Sequence, residues 1–130
     1  MAKSDSGVIE ERFRLAYRFL NTAKLNVKDG DLRSAADRAY YAMFHAAAAA
    51  LHKKGIKAKS HRGIIQKFGE AYIKTDEFDR QLGKALQRAF SLRQASDYEV
   101  YPEPDEEQVT VMMEKAQEFV KKLKELLGVG

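Results

Sequence analysis

The apolar residues of this chain recur at intervals of three and four, the spacing that gathers side chains on one face of an α-helix. In the first such run Phe13, Ala16, Tyr17, Leu20, Ala23 and Val27 form a stripe, and the Lys28-Asp29-Gly30-Asp31 turn ends it with a glycine suited to a helix C-terminus. A second run begins after Asp29 or Asp31 as N-cap and passes through Ala36, Tyr40, Phe44, Ala47 and Leu51 to Gly55. Its many alanines favour helix and let a neighbouring helix approach closely. Ser60 is suited to cap a third, shorter helix carrying Ile64, Ile65, Phe68 and Tyr72. Thr75 or Asp76 then caps a fourth, with Phe78, Leu82, Leu86, Ala89 and Phe90 on a face that continues to Arg93 and Asp97. Pro102 and Pro104 stop helical structure, and Asp105 with Gln108 makes an approximate capping box ahead of a fifth helix. The stripe of that helix is Val109, Met112, Ala116, Phe119, Leu123 and Leu126. No segment shows sustained strand alternation, so the pattern predicts an all-α fold, in one domain over residues 1–130.

Composition agrees with a single core. A chain of 130 residues with 45% hydrophobic and 32% charged residues can bury one core without metals or disulfides. It has no cysteine, which excludes a disulfide framework, a thiolate zinc site and a cysteine nucleophile. The opening residues lack the charged start and apolar core of a secretory signal, and the longest low-charge stretch, 39–51, is interrupted by His45 and too short to span a bilayer. A cytoplasmic protein without membrane attachment is expected. The net charge of +4 is unevenly spread: bases crowd residues 53–67 without an acid, and acids crowd residues 97–107 without a base.

Three constellations carry candidate chemistry. In the second helix Ser34, Arg38, Tyr41 and His45 are spaced by four, three and four, on one face. Arg38 is suited to hold a phosphate and His45 to move a proton; equally, Arg38 pairs with an acid and His45 takes a core hydrogen bond. At the end of the fourth helix Arg93, Asp97 and Tyr98 close an apolar stripe, with Arg93 and Asp97 near enough to form an ion pair. The basic stretch from Gly55 to Arg62, with His61 at a loop-to-helix junction, is either a phosphate-holding helix start or a solvated loop. Glycine-rich phosphate loops, nucleophile elbows and His-Glu-x-x-His pairs are absent, and the three histidines are not grouped with carboxylates at metal-ligand spacing. No metal or cofactor is expected.

The string Ser34-Ala35-Ala36-Asp37-Arg38-Ala39-Tyr40-Tyr41-Ala42-Met43-Phe44-His45, the Lys59-Ser60-His61-Arg62-Gly63 junction and the segment from Arg93 to Tyr98 together resemble HEPN-domain proteins of the short stand-alone prokaryotic branch. The resemblance implies an up-and-down bundle of four long helices plus one short helix. It also implies a homodimer, and a minimal nucleotidyltransferase as partner in a toxin-antitoxin-like pair. Active members of that family are metal-independent RNases that use an arginine and a following histidine. Arg93 matches the arginine, but Tyr98 stands where the histidine is expected, and tyrosine titrates near 10. The expectation is therefore a site of Arg93, Asp97 and Tyr98, with Arg38, Tyr41 and His45, that binds a nucleotide or RNA. Two alternatives stay open: an RNase using Arg93 with Tyr98 or His45 as helper, and a purely structural dimerisation module. By the same resemblance Tyr98 or Tyr101 is a candidate acceptor for a transferred nucleotide.

Overall fold

The computed structural model describes residues 5–96 and 104–129. Among these residues the elements are α1 (Asp5–Lys28), α2 (Leu32–Lys53), α3 (His61–Phe68) running into a π-helical turn (Gly69–Ile73), α4 (Arg80–Ser96) and α5 (Glu106–Leu127). The all-helical expectation is met, and the one short helix is α3.

The boundaries follow the caps. The Asp31 side chain accepts from Ser34 N, so Asp31 rather than Asp29 starts α2. Gly30, Gly55 and Gly128 all adopt positive φ just beyond helix ends. Asp105 and Gln108 form a full capping box at α5. The expected cap of α4 at Thr75 or Asp76 is corrected. Asp76 itself takes a left-handed conformation with φ 60°, and Asp79 receives hydrogen bonds from Gln81 N and Leu82 N at 2.8 and 3.2 Å. An aspartate tolerates that turn because its short polar side chain bonds locally, here to Arg80. α3 leads into the π turn, which is anchored where the Tyr72 hydroxyl donates to Ala50 O at 2.7 Å.

α1 and α2 form an antiparallel hairpin: Asp5 meets His52, Arg12 meets His45 and Phe19 meets Tyr41. α2 packs against each of the other four helices. That position explains its composition, since residues 46–50, all alanine, are all buried, as a helix surrounded by others requires. The second half of the core joins Phe68, Tyr72, Phe78 and Phe119 in ring contacts at 5.1 to 5.8 Å. Two stripes are redrawn. Tyr17 is 40% exposed and covers its ring with Lys124, and Leu126 is 46% exposed while Val120 and Leu127 take the buried positions on α5. The Met112-Met113 pair divides, Met113 in the core and Met112 partly buried against it. No described helix is long and apolar enough to cross a membrane.

Candidate functional site

On the α2 face that carries Asp37, Tyr41 and His45, side chains from four helices converge. Arg93, from the last turn of α4, donates through Nε to Asp37 Oδ1 at 3.0 Å and through Nη2 to the Tyr41 hydroxyl at 2.5 Å. Arg38 reaches the other carboxylate oxygen of Asp37 at 3.1 Å. One carboxylate thus holds two guanidinium groups, one on each oxygen. The Arg93 guanidinium also lies 4.6 Å from the Tyr41 ring centroid and 5.5 Å from that of Tyr40, within cation–π range. Burial works against the Arg93 charge, but the hydrogen bond to Asp37 and the charge of neighbouring oxygens outweigh it and raise the group above the ordinary arginine value.

The pairing supplies Arg93 with a partner that spacing along the chain does not show. Arg93 is tied to Asp37, 56 residues away in sequence, as well as lying four residues before Asp97. Asp97, Tyr98 and Tyr101 lie outside the described residues. Of the face Ser34, Arg38, Tyr41 and His45, the last three join the cluster, whereas Ser34 is occupied at the α2 cap with Asp31. Arg38 and His45, about 10 Å apart along the helix axis by its rise, share a neighbour that the helix alone does not supply. Phe19 of α1 stacks on His45 at 5.4 Å and on Tyr41 at 5.5 Å, with the Arg38 guanidinium 6.0 Å from its ring.

Both imidazoles of the cluster are held at Nδ1. Arg12 Nη1 donates to His45 Nδ1 at 2.9 Å; an arginine has no lone pair to offer, so the His45 proton sits on Nε2. Burial, then the charges of Arg12 and His61, lower the His45 pKa to about 4, so the ring is neutral at neutral pH. His61, at the first turn of α3, lies 2.8 Å from the Tyr40 hydroxyl through Nδ1 and stacks on Phe44 at 4.1 Å. Burial and the Arg93 charge lower its pKa too. The local sequence builds this placement. Ser60 Oγ accepts from Gly63 N at 2.9 Å, and a Cβ at position 63 would crowd that same oxygen, so glycine keeps the cap closed and His61 directed at α2. His61 is therefore not part of a solvated loop. Arg62 beside it lies 5.7 Å from the Phe90 ring. Of the basic stretch, Lys54 and Lys67 are engaged with backbone carbonyls, of Ala71 and Lys57.

Asp37 and Arg12 escape the spacing arguments, which place Tyr40 only at a core position and His61 only in the basic junction. Arg12 and Phe19 are seven residues apart and so share a face of α1, the one local signal that points to them. Asp37 and Tyr40 flank the quoted α2 face, but their partners come from α4 and α3. Among the described residues no group of histidines and carboxylates is arranged to hold a metal ion.

The fold is all-helical, and arginines, aromatic rings and two imidazoles are gathered along one face of α2. The chain belongs to the HEPN family, whose model matches residues 9–126. It is 35% identical over 92% of its length to a UPF0332 protein of Thermotoga maritima, covering 91% of that protein. It is 37% identical over 89% of its length to a UPF0332 protein of Archaeoglobus fulgidus, covering 92% of it. A Methanocaldococcus jannaschii protein named "Putative toxin" is 31% identical over 92% of this chain and 88% of its own.

Proposed function

We propose that this HEPN protein binds the phosphate groups of a nucleotide or RNA in the cleft between α1, α2, α3 and α4, as a homodimer. In the cell it acts with a minimal nucleotidyltransferase in a toxin-antitoxin-like pair, a role in keeping with the name of its Methanocaldococcus relative. The observation that carries the reading is the grip of Arg38 and Arg93 on the two oxygens of Asp37. Guanidinium groups so placed, with Arg12 and Arg62 nearby, suit a second anion bearing several oxygens. The Phe19, Tyr41 and Phe90 rings beside them suit the flat face of a base.

The test is binding of a labelled single-stranded RNA and of adenosine monophosphate by wild type, Arg93→Ala, Arg38→Ala and the double variant, with folding checked by circular dichroism. Arg93→Ala is expected to bind roughly 10- to 100-fold more weakly, the worth of one charge-assisted hydrogen bond or two. Arg93→Lys is expected to recover only part of the loss, because a lysine lacks the planar fork. RNA and nucleotide binding that survives loss of both arginines would sink the reading. Metal-free cleavage of the RNA in the same samples would turn binding protein into RNase.

A further inference from the structure

One guanidinium on the α2 face has no counter-ion. Arg12, on α1, is partly buried and donates through Nη1 to His45 Nδ1 at 2.9 Å. Among the described residues that is its one hydrogen bond, and no carboxylate lies within ion-pair distance of it. The neighbouring Glu11 is paired with Arg14 instead. His45 is neutral, so it takes a proton donor from Arg12 without cancelling any of the charge. Arg38 and Arg93 differ in this respect, since Asp37 lies between them. A cation that gives up hydration and gains no partner charge is a costly placement, which packing alone does not call for. The other N–H groups of Arg12 are not among the buried atoms that lack a partner, so solvent reaches them.

The position of Arg12 relative to Arg93 follows from α2. Asp37, Tyr41 and His45 succeed one another at intervals of four and so lie along one face. Arg93 is fixed at Asp37 and Tyr41, and Arg12 is fixed at His45. From the midpoint of the first pair to His45 the helix rises roughly 9 Å. The Tyr41 and His45 rings fill that interval, and Phe19 stacks on both, at 5.5 and 5.4 Å. One phosphate is too small to touch both guanidinium groups across such a gap, whereas two phosphates joined through a sugar can reach them. We propose that Arg12 is a second anion subsite, which takes the phosphate one nucleotide removed from that held by Arg93 and Arg38, so that ligands with two phosphates separated by a ribose are preferred. The inference rests on the phosphate-binding reading above and deepens it.

The experiment compares two probes with equal numbers of phosphates in different places: adenosine 3′,5′-bisphosphate, in which a ribose separates them, and adenosine diphosphate, in which they are contiguous. Affinities are measured for wild type, Arg12→Gln and Arg12→Lys, with folding checked by circular dichroism. Glutamine removes the charge and keeps an N–H for His45 Nδ1, so it separates an anion ligand from a residue that only orients the imidazole. Wild type is expected to bind the bisphosphate about tenfold more tightly than the diphosphate, the worth of one charge-assisted hydrogen bond. In Arg12→Gln that ratio is expected to fall to near one, and in Arg12→Lys to recover in part. With the single-stranded RNA, Arg12→Gln is also expected to lower the slope of log affinity against log salt by about 0.7, the share of one phosphate contact on a single strand. A wild-type ratio near one, or a ratio and slope unchanged in Arg12→Gln, overturns the proposal while leaving phosphate binding in place. If wild type binds neither nucleotide nor RNA, the binding reading and this inference fall together.

Discussion

A single carboxylate organises the arginine cluster. Asp37 is part-exposed, yet it holds Arg38 and Arg93 through separate oxygens and so fixes where two guanidinium groups stop. Such pairs add little stability near the surface, and their worth here is geometric. The histidines make a different contribution at this scale. The His45 pKa falls to about 4 in the folded chain from an ordinary 6.5, so as pH drops the unfolded chain binds the proton first. Its contribution to stability is whole above about pH 6.5 and is lost progressively towards pH 4. Wild type is therefore expected to lose stability between those values more steeply than His45→Gln. Urea denaturation at pH 7, 6, 5 and 4 checks this, and parallel loss in the two proteins would contradict it.

The elements carry these residues into position through their ends. α3 is short, with three buried apolar residues, and depends on its cap to begin where it does. Ser60→Ala removes the acceptor for Gly63 N and is expected to cost about 1 kcal/mol of stability. Because His61 follows the cap directly, the same variant is expected to weaken the proposed RNA binding more than its stability loss explains, whereas Ser60→Asp, another good cap, keeps both. Equilibrium unfolding and RNA affinity measured on the same samples separate the two effects. α2 plays the opposite part: between Ala35 and Leu51 it is buried except for Asp37, Arg38, Tyr41 and His45, which stay partly open. Its alanines bring α1 close enough for Phe19 to stack on two α2 rings.

At the scale of the whole fold, most of the described aromatic rings fall into two groups. One, around Tyr40, Tyr41 and Phe44, lies beside the arginines; the other, Phe68, Tyr72, Phe78 and Phe119, ties α3, the π turn and α5 into the core. Phe119 is fully buried and touches both Phe68 and Phe78. Phe119→Ala is expected to destabilise the fold by about 3–5 kcal/mol, read as a lower denaturant midpoint at an unchanged slope. The proposed phosphate affinity of the molecules that remain folded is expected to stay near wild type, because among the described residues no arginine of the site contacts that ring group. A loss of affinity as large as that of Arg93→Ala would show the two groups to be coupled.

The helices, their order and most of their ends were legible in the chain, because caps and apolar spacing are local physics that a few neighbouring residues decide. Arg93, Arg38, Tyr41 and His45 stood out for the same reason, as polar groups on stripes that are otherwise apolar. The start of α4 was misplaced by three or four residues because Thr75, Asp76 and Asp79 are equally good caps in isolation, and the π turn before them sets which is used. The partners of the site residues were beyond local reach. Asp37 lies 56 residues from Arg93, and Tyr40 lies 21 from His61. Sequence spacing determines which side chains share a face; only the packing of four helices decides which faces meet, and with it where each proton and charge in the cleft resides.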